Sequence, residues 1–253
     1  MGSILTLLVV VAIIAGGFWL VRQQQATKAR ELDDAKADAR RWVERLGGQV
    51  LNLVGTNDAA KQALADAAER YTAAGSQMDQ ARSAAQARGV TETAYEGLYY
   101  VRAARSAMGL DPGPELPPLP GQQQAGAVTE AREVDVEGHR YGASPDPTGR
   151  NTHYYPGGTV AGRPVPRGWY SEPWWRSALI GGAWGVGSAL LFTSLFSGMS
   201  GVAYADGFAD GVAADGMDGG DPGGGDGGDP GGDWGGDVGG GDFGGDWGGG
   251  DFF

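Results

Sequence analysis

The chain holds two histidines, His139 and His153, and any metal or acid–base chemistry at neutral pH would have to start from them. They stand 14 residues apart in turn-rich sequence, with no cysteine anywhere and no helical H-x-x-x-H spacing. A metal would need carboxylates brought from elsewhere, so both read as solvent-exposed loop side chains and no metal ligand is assigned. Ser200, in Gly198-Met199-Ser200-Gly201, lacks the G-x-S-x-G spacing of a serine nucleophile. No G-x-x-x-x-G-K-[ST] phosphate loop occurs, and Asp33 and Asp34 lie on a charged helical surface beside Lys36, which reads as a solvated face and not as a catalytic acid pair. The sequence predicts no enzyme, no catalytic residue, no cofactor and no small-molecule substrate. The neutral middle of the chain lacks the clustered Lys and Arg that nucleic acid requires, so no nucleic-acid partner is expected.

The largest excess of one charge is at the end of the chain. Of 31 acidic residues, 12 follow Ala205, all are Asp, and no Lys or Arg accompanies them. From Gly231 the tail repeats with a nine-residue period, GGDWGGDVG then GGDFGGDWG. The calcium-binding β-roll repeat places its apolar residue two positions after the Asp, whereas Trp234, Val238, Phe243 and Trp247 follow theirs directly. So much glycine cannot offset its ordering entropy with so little burial, and a disordered acidic tail with aromatic side chains is expected over 206–253.

Two apolar runs would position everything else. Ile4–Val21 is 18 residues without a charge, lacking the basic start and small-residue end of a cleavable signal peptide. Ser177–Ala205 is 29 residues without a charge, flanked by Trp169, Tyr170, Trp174 and Trp175 on one side and Tyr204 and Phe208 on the other. About 20 apolar residues in a helix cross a bilayer, and aromatic rings favour its two interfaces. The expected architecture is mainly α. Residues 1–3 are a short exterior start, 4–21 and 177–205 are transmembrane helices, 22–110 is a cytoplasmic helical, coiled-coil region, and 111–176 is a Pro/Gly-rich linker. Arg22, Lys28 and Arg30 follow the first run and Arg163, Arg167 and Arg176 precede the second, so positive flanks keep the middle cytoplasmic and put the tail outside.

Within the middle, Leu32, Ala35, Ala39, Trp42, Leu46 and Leu53 keep helical spacing, with a stop or kink expected at Gly47-Gly48. Gly55-Thr56-Asn57-Asp58 offers a breaker and caps for a second helix. Its apolar seam, Ala60, Leu64, Ala67, Tyr71, Ala74, Met78, Ala81 and Ala85, alternates steps of four and three and predicts close antiparallel packing. Arg88-Gly89-Val90 is read as a break, with Thr93-x-x-Glu96 capping a third helix. The Pro114–Pro120 stretch, with two overlapping PxxP spacings, is read as a stiff linker. Val134 and Val136 suggest a short strand, and His153–Val160 a hairpin turning at Pro156-Gly157-Gly158. Five further prolines in the region argue against a compact core there.

Small residues at four-residue spacing, Gly181, Gly185 and Ala189 with Ala12 and Gly16, are candidate helix-packing positions at which the two apolar segments approach each other or a second copy.

The chain resembles a family of uncharacterised actinobacterial membrane proteins known by a domain of unknown function. The likeness rests on Ala94-Tyr95-Glu96-Gly97-Leu98-Tyr99-Tyr100-Val101-Arg102-Ala103-Ala104-Arg105, on Gly109-Leu110-Asp111-Pro112-Gly113-Pro114, and on Tyr154-Tyr155-Pro156-Gly157-Gly158. It extends over Arg163-Pro164-Val165-Pro166 and Trp174-Trp175 with the apolar segment after them. The resemblance implies membrane placement and a helical middle, and transfers no catalytic residue. Sequence and resemblance together point to an integral membrane protein acting as a structural or interaction scaffold. Its expected partners are the lipid bilayer and, through helices or tail, further copies of itself. The alternative is a surface binding module whose acidic tail captures divalent cations or cationic envelope components.

Overall fold

The computed structural model describes residues 2–182, 184 and 187–202, with the side chains of 2–15 and of Ile180 outside that description. The tail over 206–253 and Gly185 lie outside the described residues.

Helix α1, Gly2–Asn52, runs 51 residues without a break. From Gly16 to Glu31 every residue is exposed, and among the described side chains the helix meets the body of the protein from Leu32 onward. There it packs against α2, Asp58–Gln80, and α3, Ala84–Ala107, as an alanine-rich three-helix bundle. The seam read from the sequence holds as far as Met78: Ala60, Ala67 and Ala74 are fully buried, and Leu64, Tyr71 and Met78 pack beside them. Ala81 caps α2 in an extended conformation and Ala85 is exposed on α3.

The expected helix ends shift for physical reasons. Gly47 does not stop α1: a Cβ there would meet the Tyr71 ring at 2.7 Å, so its bareness lets α2 approach. Asn57 caps α2 as read, its Oδ1 accepting from the Ala60 N–H at 2.8 Å. Gly89 does not break α3, because the helix already starts at a capping box made by Ser83 and Gln86. Val90, Ala87 and Ala94 are buried around it, and that packing outweighs the cost of one helical glycine, about 1 kcal/mol.

Residues 122–202 form a second, β-containing layer. After α4, Gln122–Ala125, come β1, Arg132–Val136, and β2, His139–Ser144, then β3, His153–Tyr155. β4, Gly158–Val160, β5, Arg163–Val165, and β6, Gly168–Tyr170, follow. The main sheet is antiparallel in the order β1-β2-β6-β3, and β4 pairs with β5 apart from it. Two tight turns set the register. Glu137-Gly138 has φ of 55° and 80°, and Ala161-Gly162 has φ of 44° and 77°, the left-handed pairs that two-residue hairpins use. The strand around Val134 and Val136 is present, but β3 and β4 do not form the expected hairpin, since β3 pairs with β6.

A compact core also exists where the prolines argued against one. Pro156, between β3 and β4, and Pro166, between β5 and β6, are fully buried, and Pro164 lies in the two-stranded sheet. Ala143, Tyr155, Val160, Val165 and Tyr170 present an apolar surface from the strands. The apolar segment after Arg176 covers it. That segment makes two short helices, α5, Arg176–Gly181, and α6, Ser188–Phe196, with left-handed glycines at Gly182, Gly198 and Gly201. Leu191, Phe192, Leu195 and Phe196, one stripe of α6, are buried at 5% exposure or less, whereas Leu190 is 60% exposed. At 1.5 Å per residue a nine-residue helix spans roughly 14 Å, less than half a bilayer's hydrocarbon.

Among the described residues no helix is long and apolar enough to cross a membrane. The two-crossing fold class is therefore corrected, and with it the multi-pass location built on two crossings. In α1 the run Ile4–Val21 is helical, but the side chains before Gly16 lie outside the described residues, and the described apolar remainder, 16–21, is too short to span. Among the described residues of 177–205, Ala178, Leu191, Phe192, Leu195, Phe196, Met199 and Val202 desolvate against protein, while Leu179 and Leu190 stay exposed. Trp169, Tyr170 and Trp175, expected at a headgroup level, are each at most 3% exposed. They stack with core rings: Tyr155 and Trp175 have centroids 5.0 Å apart, Tyr170 and Trp175 4.9 Å.

Candidate functional site

The bundle and the β layer meet along α2 and α3, and two polar features lie on that seam. The first is an ion-pair network. Arg176, at the start of α5, reaches back to α2 and pairs with Asp66 at 3.0 Å and Glu69 at 2.9 Å. Arg70 pairs with Glu69 at 3.3 Å and with Glu96 of α3 at 3.5 Å. Burial pushes the Asp66 carboxyl above its usual value, with the Gln62 amide and Arg176 pulling it back. Burial likewise raises the Glu96 carboxyl, against the pull of Arg70. The network ties α5 to the consecutive helices α2 and α3, the Arg176 pairs reaching back 107 and 110 residues, and its partners are all internal.

The second feature is a cleft of about 320 Å³ between α3, the residues after it and the sheet. Tyr99 and Arg102 reach it from α3, Asp146 from the β2–β3 loop, and Tyr154, Arg167 and Trp169 from the β3 and β6 edge. The backbone makes room at Gly168, where a Cβ would meet the Val128 side chain at 2.6 Å. Trp169 is 3% exposed, packed on Ala59, Ala60, Ala63, Ala103 and Ala104 with Tyr154 beside it at 5.1 Å between centroids. The residues after α3 are strapped down rather than free. Arg102 donates to the Gly113 carbonyl at 2.6 Å and to that of Pro114, and Arg105 Nε donates to the Asp111 carbonyl at 2.6 Å. The Tyr99 hydroxyl lies 3.2 Å from the Pro117 carbonyl and 3.1 Å from Gln122 Oε1. Gln122 in turn donates to the Pro156 carbonyl at 2.6 Å.

Charge in the cleft is not balanced internally. Arg102 has only carbonyls as partners, and the exposed Arg167 guanidinium has no hydrogen-bond or carboxylate partner among the described residues. The Tyr154 hydroxyl also lacks one among them. Burial pushes its pKa up to about 12, while Arg167 and Arg102 pull it down. It therefore stays protonated at neutral pH and offers a donor between two cations.

The sequence marked Arg167 and Trp169 only as flanks of an apolar run and gave none of these residues a binding role, because Arg102, Tyr154 and Arg167 are far apart in the chain. The stretches 94–105, 109–114 and 154–158 supply Tyr99, Arg102, Pro112 and Tyr154. The residues that were singled out are not brought together. Gly16 in α1 and the exposed Gly181 at the end of α5 have nothing within 4 Å of where a Cβ would stand. Ala189 on α6 packs against the sheet core, the Ala12 side chain and Gly185 lie outside the described residues, and Gly181 and Ala189 sit on different helices. His139, opening β2, lies 2.6 Å from Glu172 through Nε2, and His153 sits on β3, where burial lowers its pKa. Among the described residues no three His, Asp or Glu side chains gather to hold a metal.

No protein-family model matches the chain, nor does any curated protein or solved structure.

Proposed function

We propose that this protein is an interaction scaffold: a helical and β body whose long first helix holds it at a lipid bilayer. The observation that carries the reading is the exposure of four consecutive large apolar side chains in α1, Phe18 at 67%, Trp19 at 63%, Leu20 at 55% and Val21 at 53%. Consecutive helix positions point about 100° apart, so these four look in all directions around the axis. A partner helix lying along one side would cover two of them and leave the others in water. Lipid covers all four, and the apolar sequence preceding them, from Ile4, extends the same character. Arg22, Lys28 and Arg30 follow before the first acid at Glu31, a flank suited to anionic headgroups. The scaffold part of the reading is supported by the joint between bundle and β layer, where Trp169 packs on alanines of α2 and α3 and Arg176 pairs with Asp66 and Glu69.

Flotation of the full chain with vesicles of phosphatidylcholine and phosphatidylglycerol tests this. The wild type rises with the vesicles, and Trp19→Asp/Leu20→Asp stays at the bottom, since a charged residue in hydrocarbon costs about 2.5–3.5 kcal/mol. A wild type that remains at the bottom, or a double variant that floats equally well, refutes the lipid partner.

A further inference from the structure

We infer that the cleft between α3 and the sheet is a binding site for a small organic anion, a carboxylate or phosphate monoester carried on a compact apolar body. Its volume, about 320 Å³, is at the small end of the roughly 300–1,000 Å³ typical of ligand pockets, which limits the ligand to a small molecule. The sign of the ligand follows from the lining. Two guanidiniums, Arg102 and Arg167, face one carboxylate, Asp146, and neither Arg has a carboxylate partner among the described residues. Arg102 is held in place by the Gly113 and Pro114 carbonyls, so it is preorganised and retains unused N–H donors. Arg167 is anchored through its backbone, whose N–H donates to the Gly126 carbonyl at 3.0 Å, while its side chain is free to close on a ligand.

The Tyr154 hydroxyl adds a neutral donor. Oxygen anions take such a set well, because hydrogen bonds with one charged partner are about twice as strong as neutral ones. The apolar body is argued from the remaining walls, Trp169 and the rings of Pro112, Pro145 and Pro147. Asp146 disfavours a second negative charge on the same molecule, so a monoanionic head is the better fit. The site does not depend on the lipid partner proposed above, since the cleft belongs to the body and residues 18–21 stand clear of it.

Titration of the full chain with three probes, followed by calorimetry and by ligand-observed NMR, tests the site. Phenyl phosphate and benzoate carry both anion and ring, and inorganic phosphate carries the anion alone. At least one ring-bearing probe binds saturably, more tightly than inorganic phosphate, and whichever binds better identifies the head group. Arg167→Gln weakens that probe about tenfold or more, the loss of one charge-assisted pair. Arg167→Lys retains part of the affinity, and Tyr154→Phe loses several-fold. Arg140→Gln, on β2 and not in the cleft lining, leaves binding unchanged. Because the Arg167 side chain is exposed, its substitution leaves the fold intact, which an unchanged circular-dichroism melt verifies. The site is overturned if neither ring-bearing probe binds saturably below about 10 mM, if inorganic phosphate binds as well as both, or if Arg167→Gln binds like the wild type.

Discussion

The apolar segment after Arg176 makes the sharpest test, because a helix that seals a protein core and one that faces lipid respond differently to truncation. In α6, Phe196 is fully buried among Tyr170, Trp174 and Phe192, at ring-centroid distances of 6.3, 6.4 and 4.7 Å. Leu190, on the same helix, is 60% exposed. Replacing a buried Phe by Ala removes the transfer energy of the ring and leaves a cavity, about 3–5 kcal/mol in all. Replacing an exposed Leu should change stability by about 0.5 kcal/mol or less. Urea unfolding of the full chain, followed by tryptophan fluorescence, reads the difference. With a slope of about 3 kcal/mol per molar, Phe196→Ala lowers the midpoint by about 1 to 2 M and Leu190→Ala leaves it nearly unchanged. Equal midpoints for the two variants would show that α6 does not pack on the sheet, and the core described above would be wrong.

Gly97→Ala should destabilise, since its Cβ would lie 2.5 Å from Leu46 Cδ2, whereas Gly89→Ala, with open space around it, should stabilise by about 0.5–1 kcal/mol; denaturation midpoints moving in the same direction refute the packing of α1 on α3. Asn57→Ala should cost about 1–2 kcal/mol, because Asn57 caps α2 and its Nδ2 also donates to the Ala107 carbonyl at 2.7 Å; a change near zero in the same assay rules out the cap. Glu96 has a native pKa raised by burial, so between its ordinary value and the raised one the folded chain holds a proton that the unfolded chain has lost. Its contribution therefore favours folding below that window and declines as pH rises through it, and Glu96→Gln should lose less stability than the wild type between pH 4.5 and pH 7.5. Identical pH slopes for the two proteins would mean that Glu96 is not held in a desolvated place.

Local signals were legible wherever the cause was local. Asn57 before an alanine-rich register announces a capped helix, and the step of four and three from Ala60 to Met78 identifies the buried stripe, because helix geometry alone brings those positions to one face. The hairpin turns were also written in the chain, as Glu137-Gly138 and Ala161-Gly162 between short runs, though neither is an Asn-Gly or Asp-Gly pair that would have drawn notice. Gly89 misled because a propensity near 1 kcal/mol was weighed without the buried neighbours that override it.

The fate of 177–205 was decided by tertiary structure. A hydropathy pattern reports that a segment must leave water and is silent about whether lipid or protein receives it. The receiving surface here, Ala143, Tyr155, Val160, Val165 and Tyr170, is distributed over five short strands amid prolines, and none of those strands shows a long enough alternation to advertise a core. Only when β6 inserts between β2 and β3, and the β4–β5 pair packs beside that sheet, do these side chains form one cluster on which α6 buries its stripe. The cleft arises from the same step, since pairing β3 with β6 sets Tyr154 and Trp169 side by side and brings Arg167 round to Arg102 on α3.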